Sequence, residues 1–186
     1  MRKVTRMTPA IIVVTGASGS GKTAAVHALD ARALPGVRCY YFDSIGVPSS
    51  EEMERDFGGG EQWQAITTQK WLEWLASDPD GTEVYVLDGQ TRPSFVNSAA
   101  KRAGIEPRII LLDCEPSVRN ARLIHLREQP DLANAQMDNW AVYLRGQADA
   151  LGLPVIDTTN MSIDDVAGAL IVLIEKFRAE RRKKET

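Results

Sequence analysis

Apolar positions along this chain follow two rhythms. Mostly apolar runs, rich in β-branched and aromatic residues, fall at 11–15, 37–42, 83–87, 108–112 and 154–157 and read as five strands. Between them the spacing is helical, over 21–33, 61–76, 93–102, 116–127 and 133–151, with a last helix from Ser162 to about Glu180. Punctuation supports these limits. Leu34-Pro35-Gly36 ends the first helix, Gly104 and Gly152 close two others, and Pro116 opens one in a first-turn position. Ser49 with Glu52 three residues later is a capping-box signal for a further helix that breaks at Gly58-Gly59-Gly60. Strands alternating with helices predict an α/β fold with a five-stranded parallel sheet and helices on both faces, three layers in all.

The first strand runs into Gly16-Ala17-Ser18-Gly19-Ser20-Gly21-Lys22-Thr23, followed by the helical Ala24-Ala25-Val26. This is G-x-x-x-x-G-K-T in the strand–loop–helix setting that a phosphate-binding loop requires, the P-loop. Its glycines let successive N–H groups curl around phosphate oxygens, and the helix aims its positive end at the same point. Gly16 to Ala24 are therefore candidate nucleotide contacts, with Lys22 reaching the β- and γ-phosphates of ATP and the Thr23 hydroxyl a ligand for Mg²⁺. The alternative is a Gly/Ser turn with a stray lysine. Val84-Tyr85-Val86-Leu87-Asp88 is an apolar strand ending in a carboxylate, so Asp88 is a second candidate metal residue. Its plain alternative is an aspartate capping a turn.

Composition narrows the classes. The 186 residues are 44% hydrophobic and 25% charged, with a net charge of −3, which is ordinary for a globular protein and argues against non-specific nucleic-acid binding. No apolar run approaches the roughly 20 residues of a membrane span, and the N-terminal apolar stretch is too short for a signal peptide, so the expectation is a cytoplasmic protein. Cys39 and Cys114 lie in apolar runs and are expected as buried, reduced thiols. His27 and His125 are expected on helix surfaces.

Beyond the P-loop the chain resembles a known family. Asp88-Gly89-Gln90-Thr91-Arg92 looks like the Asp-Gly-Phe-Pro-Arg motif of adenylate kinases, and Ser98 to Ile105 is similar to the helix that follows it. Ile109-Ile110-Leu111-Leu112-Asp113, Pro116 and Arg119-Asn120-Ala121-Arg122-Leu123 resemble the strand and start of that family's lid. Val155-Ile156-Asp157-Thr158-Thr159 resembles the strand and loop beside the adenine in gluconate and shikimate kinases. The likeness to P-loop small-molecule and nucleoside monophosphate kinases runs from Ile11 to about Phe177 and implies the P-loop NTPase fold. Gln90-Thr91 replaces Phe-Pro, Val96 or Asn97 stands where adenylate kinases carry a glutamine, and no lid insertion is present. The likeness thus carries the donor half and not AMP as acceptor.

That resemblance implies one domain over 10–180, with an acceptor segment at 43–76, a lid-like segment at 117–136, and flexible termini at 1–9 and 181–186. Arg119 and Arg122, three residues apart, share a helix face and offer cations to the transferring phosphoryl group. Arg127 lies about 140° from Arg122 on an unbroken helix and joins them only if the helix loosens before Pro130. Asp157 is implied beside the adenine. Asp43, at the end of a strand expected to neighbour the P-loop strand, is a candidate for binding the acceptor hydroxyl or acting as its base; a turn aspartate is the alternative. Arg92 is expected to meet an anionic group on the acceptor, or else to pair with a carboxylate. Trp71 and Trp74 read as packing residues, Trp63 as packing or pocket lining, Arg145 as a residue that reaches phosphate on lid closure, and Gly58 to Gly60 as a hinge. The functional expectation is an ATP- and Mg²⁺-dependent kinase for a small-molecule or nucleotide acceptor, with no nucleic-acid or membrane partner. The competing class is a P-loop regulatory or adaptor NTPase without such activity.

Overall fold

In the computed structural model, residues 8–184 are described; the expected flexible stretches at 1–7 and 185–186 lie outside them. Five strands, β1 (Ala10–Thr15), β2 (Val37–Tyr41), β3 (Val84–Asp88), β4 (Arg108–Asp113) and β5 (Val155–Asp157), form one parallel sheet in the order β2-β3-β1-β4-β5. Seven helices flank it: α1 (Lys22–Asp30), α2 (Ser50–Phe57), α3 (Gly60–Ala76), α4 (Pro93–Ala103), α5 (Pro116–His125), α6 (Ala135–Leu151) and α7 (Ile163–Lys184).

The layers follow from the two-residue repeat of a strand. Ile12, Val14, Val84, Val86, Ile110 and Leu112 point to one face, where Val26 and Leu29 of α1 and Val166, Leu170 and Ile174 of α7 cover them. Ile11, Val13, Tyr85, Leu87 and Ile109 point to the other, against Trp71, Leu72 and Leu75 of α3 and Val96 and Ala99 of α4. Leu111 continues that face under Leu144 and Ala148 of α6. Both faces of β1 and β3 are buried, which is why their sequences are continuous apolar runs rather than alternations.

Several boundaries differ from expectation, each for a local reason. β2 stops at Tyr41, because Phe42–Ile45 coils into a 3₁₀ turn that buries Phe42. The first helix ends at Asp30, and Ala33 takes a φ of 46°, turning the chain towards β2. The lid helix α5 ends at His125 rather than continuing to Arg127. The last helix runs on through residues 181–184, so that part of the expected flexible terminus is helical. The Ser49 capping box is present on both sides, Ser49 N–H donating to Glu52 at 2.7 Å and Glu52 N–H to Ser49 Oγ at 3.2 Å.

The strand order corrects one premise about the site. β2 does not neighbour β1; β3 lies between them, paired in register with both. Asp43 therefore sits one strand further from the P-loop than expected. The order reverses direction at β1, with β3 on one side and β4 on the other, and ligands of open α/β sheets bind at the carboxyl end of such a switch point. The P-loop leaves β1 there.

Candidate active site

The P-loop is built by close approach. Gly19 takes a φ of 83°, and a Cβ there would meet Arg119 Cγ at 2.8 Å and the Arg119 carbonyl at 2.9 Å. Gly21, at φ 90°, occupies the N-cap of α1, with no side-chain cap. The first N–H groups of α1 are thus left for a ligand.

Lys22 is buried at the head of α1. Burial pulls its ammonium below the ordinary lysine range; the Asp88 carboxylate opposes that, the Arg127 guanidinium adds to it, and Asp43 opposes it. The charges of Asp88, Arg127 and Asp43 are thus all felt at Lys22. Burial raises the Asp88 carboxyl above its usual range, while the Lys22 charge and a hydrogen bond with Thr23 pull it down. One carboxylate oxygen of Asp88, Oδ1, is buried with no protein partner. An orphaned carboxylate oxygen beside the Thr23 hydroxyl is a donor set of hard oxygens that fits Mg²⁺. No group of three or more His, Cys, Asp or Glu side chains able to hold a metal occurs among the described residues, so such an ion would need oxygens from a bound ligand as well.

A cavity of about 450 Å³ opens over the loop, lined by Lys22, Thr23, Ala24, His27, Arg122, Arg127 and the apolar Met161, Ile163 and Val166. Arg127 reaches it because α5 has ended. Its N–H donates to the Arg122 carbonyl at 3.1 Å, and Glu128 at φ 52° reverses the chain, so Arg127 escapes the helical periodicity that would point it elsewhere. His27 is exposed as expected but stacks on Tyr41 at 4.3 Å, and His125 is exposed.

The three arginines take separate places. Arg122 donates to the Thr158 hydroxyl at 2.9 Å and the Thr158 carbonyl at 2.7 Å, and Thr158 Oγ1 donates to the Ser20 carbonyl at 2.8 Å. Arg119 does not line the cavity. It is 2% exposed, ion-paired with Asp138 of α6, and braced behind the loop at Gly19. Its guanidinium is taken up by Asp138 and the Cys114 carbonyl, while its Cγ and backbone carbonyl lie against Gly19. Asp157 is exposed and accepts from Thr159 N–H at 2.9 Å, outside the cavity lining; its neighbour Thr158 is the buried residue that meets the loop. Sequence reasoning passed over Thr158, although the Thr158-Thr159 pair after a short strand was its visible signal.

Beyond β3 a second network begins. Ser18 Oγ donates to Gln90 Oε1 at 3.0 Å, Gln64 Nε2 donates to the Gln90 carbonyl at 2.7 Å, and Arg92 donates to Gln64 Oε1 at 2.7 Å. Behind it, Thr68 Oγ1 and Thr91 Oγ1 lie 2.7 Å apart, and Thr15 Oγ1 donates to the Thr91 carbonyl at 2.7 Å. The Gln90-Thr91 pair that replaces Phe-Pro is thus the joint between the P-loop and α3. Arg92 also pairs with Glu61 at 3.2 Å and lies over the Trp140 ring at 4.8 Å. These residues edge a second cavity of about 720 Å³ between α3 and α6. Gln64, Gln90, Trp140 and Tyr143 line it and had not been singled out as site residues; amides and aromatics carry no motif by which to find them.

Other candidates fall outside both cavities. Trp63 packs edge-on against Phe42, Trp71 is buried and donates to the Phe42 carbonyl at 3.2 Å, and Trp74 is 42% exposed. Arg145 is held by Asp149 at 3.0 Å and Asp113 at 3.4 Å. Asp43 is exposed at the 3₁₀ turn after β2. Both cysteines are free, Cys114 buried and Cys39 half-buried.

No family model matches the sequence, and no curated protein matches it. Solved structures do. The chain is similar to a gluconokinase from Sinorhizobium meliloti (TM-score 0.64, 17% identity, 93% of this chain and 98% of that one). It is similar to a tunicamycin resistance protein from Deinococcus radiodurans (0.64, 19%, 89% and 95%). It is also similar to the APS kinase CysC of Mycobacterium tuberculosis, solved with AMPPNP and APS (0.56, 16%, 90% and 98%). The chain shares its fold with these structures, two of which are kinases. No helix among the described residues is long and apolar enough to cross a membrane.

Proposed function

We propose that this chain is a P-loop kinase that transfers the γ-phosphoryl group of ATP to a small-molecule or nucleotide acceptor. One observation carries the reading: a cavity opens over the P-loop, and Ser18 of that loop is hydrogen-bonded to Gln90 on the lining of a second cavity, which gives room for a donor and an acceptor on either side of the loop. The kinases among its structural neighbours support it.

Phosphoryl transfer asks a protein for position and charge neutralisation rather than covalent chemistry. Gly16 to Ala24 cradle the phosphates through backbone N–H groups. Lys22 and Arg127 offer cations to the transferring group, and Arg122, tied to Thr158, closes the same cavity. Thr23 and Asp88 would hold Mg²⁺, which when bound would neutralise charge on the phosphate oxygens. Asp43, outside both cavities, acts only through its charge on Lys22, Arg92 contacts the acceptor, and Arg119 positions the loop. Two free thiols suit a reducing compartment, and we assign the activity to the cytoplasm, without a nucleic-acid or membrane partner.

ADP release in the presence of ATP, Mg²⁺ and a panel of metabolites tests this. At least one compound should accelerate release, and Lys22→Ala should lower the stimulated rate by about 10²-fold or more. Transfer retained in that variant would overturn the role of Lys22, and ATP binding with no turnover on any compound would overturn the reading in favour of a regulatory NTPase.

A further inference from the structure

The second cavity is specific about charge. Its charged lining residues are Glu61 and Arg92, and these neutralise one another at 3.2 Å. The Arg92 guanidinium is further fixed by Gln64 at 2.7 Å and lies over Trp140 at 4.8 Å and Tyr143 at 5.9 Å. It is therefore not a free cation awaiting an anion. A carboxylate or phosphate brought to it would face the Glu61 carboxylate on the same nitrogens, and like charges within a few ångströms repel.

The rest of the lining is uncharged, amide side chains beside the apolar Leu132 and Met137 and two aromatic rings. Gln90, Gln136 and Asn139 bring side-chain amides, each both donor and acceptor. The Glu61–Arg92 pair is likewise an acceptor beside a donor. A hydroxyl both donates and accepts, so neighbouring hydroxyls on one ring match such alternating groups, whereas an anion accepts only. Trp140 and Tyr143 stack at 5.4 Å, Tyr143 is 40% exposed, and Trp140 Nε1 has no protein partner. Aromatic faces of this kind suit the C–H face of a saturated ring.

We propose that the ligand of this cavity is an uncharged polyhydroxylated ring compound, a sugar or sugar-like molecule, selected against its acid and phosphate forms by the Glu61–Arg92 pair. That this ligand is the phosphoryl acceptor rests on the kinase reading above.

Calorimetry of the full chain with Mg²⁺ and ADP tests the ligand class directly. The panel is hexoses, pentoses and cyclitols, each beside the corresponding acid or phosphate ester. A neutral member should bind at least tenfold more tightly than its charged partner. Glu61→Gln, which frees Arg92 at an exposed first-turn position, should erase that preference by tightening the charged partner about tenfold. Tighter binding of an acid or ester by the unaltered chain, binding of no neutral member, or an unchanged preference in Glu61→Gln overturns the proposal. Neutral-sugar binding without Lys22-dependent ADP release would overturn the kinase reading and leave the ligand class standing.

Discussion

At the scale of single residues, burial decides chemistry more than residue type does. Lys22, Asp88 and Cys39 are each pushed towards their neutral forms by burial. For Lys22 and Asp88 part of that cost is offset by their attraction for one another, and a charged ligand would offset more, the usual tension between a stable fold and a working site. Cys39 has no such ligand. Burial, then the charge and hydrogen bond of Asp30, raise its thiol to about 12, and burial raises Cys114 as well. A raised pKa means less thiolate at a given pH, about a thousandfold less for Cys39 at pH 8 than for a free cysteine. Alkylation by iodoacetamide at pH 8, followed by mass spectrometry, should therefore modify Cys39 in the native chain at least about 100-fold more slowly than in urea. A native rate within tenfold of the unfolded one would refute this account of the thiol. The same burial explains what could and could not be foreseen here. That the cysteines are free, Cys39 within β2 and Cys114 just past β4, agrees with their apolar local sequence. That Arg119 is buried against Asp138, nineteen positions away on another helix, does not follow from local sequence, because no local pattern encodes an ion pair between helices.

At the scale of elements, local patterns were legible wherever packing agreed with them. The unbroken apolar runs became the central strands, and the capping box at Ser49 marks the start of α2. Element order in the sheet was not legible, since nothing in β2 states which strand it will pair with. That is why Asp43 was expected beside β1 and stands beyond β3 instead. The helix α2 differs from all its neighbours: none of its residues is buried, and it ends at Gly58 and Gly59 with φ of 79° and 118°. Its stability therefore comes from its capping box rather than from the core, and loss of such a cap costs about 1 kcal/mol. Hydrogen exchange should show α2 amides exchanging faster than those of α3. Ser49→Ala should speed α2 further, by about fivefold, while leaving the global melting temperature within a degree. A global loss of stability in that variant would mean that α2 is part of the core's cooperative unit.

At the scale of the whole molecule, the P-loop is tied to two bodies that flank it. Through Ser20, Thr158 and Arg122 it is joined to α5. Through Ser18, Gln90 and Gln64 it is joined to α3 and so to the Gly58–Gly60 break and the second cavity. A nucleotide that orders the loop should stabilise both sides, and binding at 100 times Kd adds about 2.7 kcal/mol to the folded state. Amide exchange with and without ATP and Mg²⁺ can separate the two ties. In the unaltered chain, amides of α5 and of α3 should both slow on nucleotide addition. Gln90→Ala cuts one tie and leaves the other, because Arg122 and Thr158 are untouched. In that variant the slowing of α5 should persist and that of α3 should fall towards zero. Undiminished slowing of α3 would show that the loop and the acceptor side communicate by another route, through the buried Thr15–Thr91–Thr68 hydroxyls that run behind Gln90. Thr91→Val in the Gln90→Ala background would then be the variant in which the coupling disappears.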